Sequence, residues 1–390
     1  MGMREPSVSV IAQLPAWAEW VASTPYRVGV EEEVMILDPA SGALAAGGAA
    51  LDDLPRDLGE RVHPETHQSA AELATTPHRE ASEVGREAGF LRRRLQSHLA
   101  EHGLALAAAG THPLAVWTDI RVSEGPRYQI IHETMRELAR REPTFALHVH
   151  IGVDTAPRAL ALLNRLVTHV PLLLALSANS PFWQGRDTGL SSARTSIFQA
   201  FPRTGLPQIY STYEEYIEAI DRLVRTDAIP EPTFIWWDVR LQPGLGTVEV
   251  RIMDSQITAD ATAALAALVQ TIAHLELEEG YCSDALQAAP EVLDENRFLA
   301  ARDGMEARLI DLEAGRRLPA RGQLDHLLDQ AHDHAEELGC ADALSAVRDL
   351  SHASGAAWQR ETAASGGLDR LVPALIARFG ESGGCRPHEH

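Results

Sequence analysis

Lysine is absent from this chain: all 34 basic residues among its 390 are arginine. Chemistry that needs a lysine amine is thereby excluded, including Schiff-base catalysis, pyridoxal-phosphate anchoring and the Walker-A phosphate loop. Any phosphate must be met by arginine, backbone N–H groups or metal ions. Cysteine is scarce, and Cys282, Cys340 and Cys385 form no CxxC or metal-ligand spacing. They read as free thiols of a reducing compartment. Aromatic residues make up only 5%, so the core must rest on Ala, Leu, Val and Ile. Long apolar runs are missing too: Val170 to Leu176 contains Pro171 and is far too short to span a bilayer. Arg4 and Glu5 stand where a signal peptide would have its apolar core. A soluble cytoplasmic protein with no membrane partner is expected.

What is present in excess is acid. The formal charge is 34 − 55 = −21, which argues against nucleic acid as a partner because such surfaces need a basic patch. It leaves open a nucleotide held through cations. Hydrophobic residues at 45% and charged residues at 23% are ordinary globular usage.

The periodicities predict a short helix over 17–23 and a strand over Arg27 to Leu37 (RVGVEEEVMIL). A turn-rich loop at 38–48 and an extended region over 62–75 follow. Thr76-Pro77 reads as a helix start, and Val84, Ala88, Leu91, Leu95 and Leu99 continue at helical spacing to Gly103. Strands are expected over 104–109 and 144–153, and helices over 127–141, 156–176 and 213–225. The stretch 177–207 shows no clear period, which marks it as functional or mobile. Two strands, 233–241 and 247–253, flank the hairpin signal Pro243-Gly-Leu-Gly246. From residue 260 nearly everything is helical. One α+β domain over 1–380, with a helical C-terminal layer and a disordered tail over 381–390, fits this order.

Four strand-like segments carry chemistry. In Gly29-Val-Glu31-Glu32-Glu33 the alternation puts Glu31 and Glu33 on one face, while Val28, Val30, Glu32 and Val34 share the other. Two carboxylates on one face repel unless a cation lies between them; otherwise this is a solvated strand face. Glu65 and Glu72 lie seven apart and serve one site only if a bend intervenes. His148-Val-His150 points two imidazoles to one face, a common metal-ligand spacing. In Thr247-Val-Glu249-Val-Arg251, Glu249 and Arg251 share a face, either as a surface ion pair or as a metal ligand beside an anion-binding guanidinium. Oxygen-rich ligation suits Mg²⁺ or Mn²⁺. Hard cations with arginines nearby suit phosphoryl transfer from ATP, and Arg194 and Arg203 are candidates to clamp the phosphate.

RVGVEEE, the GTHP run, HVHIG, NSPFWQGRDTGLSSART and TVEVRIMD, in that order, resemble the carboxylate–amine ligase family of type 2 glutamate–cysteine ligases. The resemblance covers about Arg27 to Gly280. It implies a glutamine-synthetase-like fold, in which an antiparallel sheet forms a funnel with flanking helices that holds Mg²⁺ and ATP. It further implies phosphorylation of the γ-carboxylate of glutamate and attack by the amine of cysteine, or of another amino acid or amine, on the acyl phosphate. Carried over residue by residue, Glu31, Glu33, Glu65, Glu72, His148 and Glu249 match metal ligands. Arg194 and Arg251 match groups on phosphate or substrate. His150 lies beside the site, and a homodimer is implied.

Two other classes remain open. One is a metal-dependent hydrolase or oxygenase using His148 and His150, with a third ligand from His63, His67, His78 or His112. The other is a catalytically silent binding protein of the same fold. Trp236-Trp237 packs on a ligand, in the core or at a dimer contact. Arg92 to Arg94 and His332-Asp-His334 read as solvated helix faces.

Overall fold

The computed structural model describes residues 14–140 and 143–381. Arg4, Glu5, Arg141, Cys385 and the tail from 382 onward lie outside them.

Among the described residues one main sheet has seven strands: β1 (Val28–Leu37), β2 (Val62–Pro64), β3 (Ala70–Ala74), β4 (Ala105–Ala107), β5 (Ala146–Gly152), β6 (Val239–Gln242) and β7 (Thr247–Asp254). They run β6-β7-β5-β1-β3-β2, with β4 beside the C-terminal half of β1, and every pairing is antiparallel. β1 alternates as its sequence demands: Val28, Val30, Glu32 and Val34 are buried on the back face, while Gly29, Glu31 and Glu33 are half-exposed on the front. Gly246 closes the β6–β7 hairpin at φ +64°, where a β-carbon would collide with the Val21 carbonyl.

The back face is covered by α1 (Ala81–Glu101), α3 (Ala156–Ser177) and α6 (Ala259–Glu278). α3 is long and apolar enough to cross a membrane by length and composition. Of its most apolar 18-residue stretch 83% is buried inside the protein, which makes it a core helix. Pro171 sits inside it without interrupting it. α2 (Pro126–Met135) and the following 3-10 turn (Arg136–Arg140) lie over the front face, and α4 (Ala193–Phe198) borders it. The rest of the helical part includes α5 (Tyr213–Arg225), α7 (Pro290–Asp303) and α8 (Ala320–Gln330). A small hairpin, β8 (Arg308–Asp311) with β9 (Arg316–Pro319), interrupts the expected all-helical C-terminal layer.

Several expectations are corrected. The first helix shrinks to a 3-10 turn at Ala16–Ala18. Thr76-Pro77 is not a helix start, because the chain stays extended and His78 pairs with Val28 in both directions, at 2.8 and 2.9 Å. Arg92 is no solvated face residue. It is 1% exposed and bonded to Glu32, which explains how a glutamate is tolerated on the apolar face of β1. His334 is likewise buried, 2.7 Å from the His274 ring, whereas His332 is exposed. The aperiodic stretch 177–207 is built around buried Asp254, which accepts from Asn179 N–H (2.8 Å), Ser180 Oγ (2.7 Å) and Ser192 Oγ (2.9 Å).

Candidate active site

Register decides which side chains meet on the front face. Glu31 lies opposite His148, Glu33 opposite Glu72, His150 opposite Glu249, and Glu249 opposite Arg240. Like charges directly across a ladder destabilise it, so the Glu33–Glu72 pair is costly as it stands. Glu65 reaches the same place because the loop between β2 and β3 bends the chain; ligand atoms of Glu33, Glu65 and Glu72 lie within 4.8 Å of one another. A bulge in β7 between Val250 and Met253 re-aims Arg251. Arg194 is buried on α4, held by the carbonyls of Ile252 (2.9 Å) and Arg251 (3.2 Å).

These groups line a cavity of about 360 Å³ bounded by Glu31, Glu33, Glu65, Glu72, His148, Arg194, Arg240 and Arg251. A second cavity of about 240 Å³, with Gly29, Ala74, Pro77, His150 and Gly152 in its walls, adjoins it. Glu31 lines both, and the two together are called the trough.

The trough is electrostatically divided. Burial alone would raise the Glu31 carboxyl, but the His150 charge, 3.4 Å away, and a hydrogen bond from His148 outweigh it and hold it below the usual range. Glu249 is fully buried, yet Arg240, Arg251 and both histidines hold it well below that range too. Arg240 Nε and Gln242 Nε2 donate to its Oε2, the latter at 2.7 Å, and Arg251 contacts its Oε1. His148 is pushed down to about 4 by burial and by Arg251. At the other end the charges are only partly compensated. Burial and the neighbouring Glu65 raise Glu33 to about 7, and burial with Glu31, Glu65 and Glu33 raises Glu72 well above its ordinary value. Arg194 and Arg251 offset this only in part.

Converging carboxylates at this separation fit a hard divalent cation, and the donor set of oxygens with one imidazole fits Mg²⁺ or Mn²⁺. Among the described residues two further ligand groupings lie at this site, Glu31–Glu72–His148 and Glu31–His150–Glu249. The Nε atoms of Arg194 and Arg251 are buried with no hydrogen-bond partner. Buried donors left unmade are costly, so these two suit an anion.

The model of the family described as Glutamate-cysteine ligase family 2 (GCS2) matches residues 27–374. The chain belongs to that family. Glutamate–cysteine ligase family 2 thus extends through the C-terminal helices, where the sequence offered no assignable motif. A Rubrobacter xylanophilus protein named as a candidate glutamate–cysteine ligase 2-1 is 40% identical over 340 residues, 86% of this chain and 90% of its own length. A Gloeobacter violaceus protein named as a candidate glutamate–cysteine ligase 2 is 36% identical over 87% of this chain and 92% of its own. In fold the chain is similar to a glutamate–cysteine ligase from Francisella tularensis solved with AMP, at 13% identity and a TM-score of 0.65 over 92% of this chain and 89% of that one. A bifunctional glutathione synthetase from Pasteurella multocida gives 13% identity and 0.67, over 90% and 52%. The α+β class with an antiparallel sheet agrees with that likeness. As a glutamate–cysteine ligase family 2 member the protein is an enzyme, an ATP-dependent ligase forming a carbon–nitrogen bond.

The structure brings Glu31, Glu33, Glu65, Glu72, His148, Arg194 and Arg251 to the larger cavity, with Glu249 buried beside it and His150 in the smaller one. It does not bring Arg203 or Trp237 there. Arg203 donates to the Phe234 carbonyl and lies over the Trp236 ring, and Trp237 packs against Tyr210 and Tyr216. Trp236, one residue earlier, lines the cavity instead. Arg240 was missed, although counting back from the predicted hairpin places it opposite Glu249.

None of the histidines proposed as a third ligand joins His148 and His150 in a grouping among the described residues. His78 pairs with Glu87, and His67 faces the Ala139 carbonyl. His112 is neutral and committed: its Nδ1 accepts from Leu114 and Ala115 N–H at 3.1 and 2.9 Å, and its Nε2 faces the Gly42 carbonyl at 2.9 Å. Burial pushes it from 6.5 down to about 4. Because the folded value is the lower one, the unfolded chain takes up the proton first. Stability is therefore lost as pH falls from 6.5 towards 4, by about 3 kcal/mol at completion. In urea titrations His112→Asn should flatten that slope; an unchanged slope would remove His112 as its source.

Proposed function

We propose that this enzyme joins the γ-carboxylate of glutamate to the amine of cysteine or of another small amino compound, through a γ-glutamyl phosphate. The observation that carries the reading is the Glu33–Glu65–Glu72 cluster facing Arg194 and Arg251 across one trough. Such a site is built for a polyanion bridged by cations.

The smaller cavity, walled by glycine, alanine and proline, suits the nucleotide base. The phosphate chain would then pass Glu31, His148 and Glu249 and present its terminal phosphoryl group to Arg251 and Arg194. Glutamate takes the larger, polar cavity. Glu33, Glu65 and Glu72 would hold one Mg²⁺, and Glu31 with His150 and Glu249 a second. When bound, these ions supply neutralisation of the phosphate charge and polarisation of the transferred group. A γ-carboxylate oxygen attacks the terminal phosphorus and ADP leaves. The amine then attacks the acyl carbon, phosphate leaves, and the amine gives up its proton. Arg251 and Arg194 donate to the transferring oxygens through the nitrogens that otherwise lack partners, which makes catalysis mainly positioning and charge stabilisation. With no lysine in the chain, both guanidinium groups are hard to replace.

The test is ADP release with ATP, Mg²⁺, glutamate and a panel of amines. Release should require glutamate and rise at least tenfold with the right amine. ATP turnover indifferent to glutamate, or amide hydrolysis without ATP, would overturn the reading. In the same assay Arg194→Gln should lower kcat by about 10²-fold, the cost of one preorganised donor at developing negative charge.

A further inference from the structure

Away from the trough, α3, α7, the hairpin β8–β9 and α8 enclose a cavity of about 350 Å³. It shares no lining residue with either part of the trough. Its volume falls in the range of small-molecule sites, roughly 300–1,000 Å³.

Behind the lining the charges are balanced. Buried Glu276 accepts both contacts from Cys282 N–H at 3.1 Å, lies 2.5 Å from His169 Nε2 and 3.3 Å from an Arg165 nitrogen. These contacts pin the turn after Gly280 so that Tyr281 and Cys282 face the cavity. Burial raises the Cys282 thiol to about 11, with Glu276 adding to the effect. It is therefore a neutral wall group, without a thiolate's reactivity. Tyr281 stacks on His169 at 6.1 Å and leans towards His326 at 6.1 Å, giving an aromatic side. Leu172, Leu309 and Leu327 supply an apolar side. Asp311 and Glu313 stand at the mouth, and no arginine is among the described residues lining it. Arg316 lies across the hairpin from Asp311 without entering the lining. Gln323 is among the lining residues, and its amide nitrogen is buried with no hydrogen-bond partner.

We infer that this cavity binds a small organic ammonium with an apolar or aromatic body and an oxygen acceptor. The carboxylates and ring faces attract the cation. No arginine is among the described lining residues, and Arg165 behind them is engaged by Glu276 and by Cys282 Sγ at 3.6 Å, which disfavours anions in a chain whose only permanent side-chain cation is arginine. Gln323 Nε2 lacks the acceptor that a ligand oxygen would provide.

Tyramine and 4-hydroxyphenylacetate share a ring and a hydroxyl and differ in the sign of their charge, so they make the decisive pair for titration calorimetry on the full chain. Tyramine should bind at least tenfold more tightly than the acid, and more tightly than 2-phenylethylamine, which lacks the hydroxyl. Asp311→Asn with Glu313→Gln should weaken tyramine about tenfold, the scale of a lost charge contact. Gln323→Leu should erase the preference over 2-phenylethylamine. Glu72→Gln, in the trough, should leave binding unchanged. No tyramine binding, equal binding of the acid, or binding lost in Glu72→Gln but kept in the mouth variant would each overturn the assignment.

Discussion

Glu72→Gln is expected to cut turnover by about 10³-fold while making the cation-free protein more stable. Both effects come from one fact: Glu72 lies directly across the ladder from Glu33, beside Glu65, with only partial compensation from arginine. Without a cation these carboxylates repel and are desolvated, and an isosteric amide relieves both penalties. The gain should be on the order of 1 kcal/mol, as is common where function stores unfavourable charge. With one charge gone the remaining pair holds a divalent ion poorly, and several kcal/mol of phosphate stabilisation is lost, equivalent to about 10³ in rate. Two measurements separate this from simple damage. Added Mg²⁺ should raise the melting temperature of the parent by linkage and that of the variant much less. The variant should also melt above the parent in a chelator. Retained turnover, or a variant less stable without metal, would remove Glu72 from the cation site.

How much of this was legible beforehand follows from range. Period-2 alternation is local, so the faces of β1 and the shared face of His148 and His150 could be read from the sequence. α5 follows its prediction residue for residue, because Thr212 caps it and its apolar stripe is regular. Features that depend on distant partners were not legible. Glu65 converges with Glu72 through an irregular loop that no period encodes. Trp236 and Trp237 are neighbours in extended chain, so their side chains leave on opposite sides, one to the cavity and the other onto Tyr210 and Tyr216. Arg240 falls between the cases: the hairpin was predicted, and the register from its turn was enough to pair it with Glu249. The conflict of a glutamate on an apolar strand face was a usable clue as well, since burial without a partner is ruled out.

That clue leads to the largest expected stability effect, Arg92→Met, at about 3–5 kcal/mol. Glu32 is fully buried and Arg92 nearly so. Arg92 donates to Glu32 through Nε (2.9 Å) and a terminal nitrogen (2.7 Å), and to the carbonyls of Gln256 (2.8 Å) and Ile257 (3.0 Å). Thr262 Oγ1 also donates to Glu32. Removing the guanidinium strands a buried carboxylate and two carbonyls at once. The pair as a whole is a different matter, because two charges taken out of water repay little beyond their own desolvation. Glu32→Leu with Arg92→Met should therefore recover much of the loss, which a double-mutant cycle in urea would report as strong coupling. The recovery should not extend fully to function. Glu32 sits between Glu31 and Glu33, and its tie to α1 fixes the twist of the strand that aims both of them into the trough. Assayed well below its melting temperature, the double variant should keep its fold yet turn over more slowly, by roughly 10-fold if the ligands shift within a few tenths of an ångström. Full activity in a well-folded double variant would show that the ion pair serves stability alone.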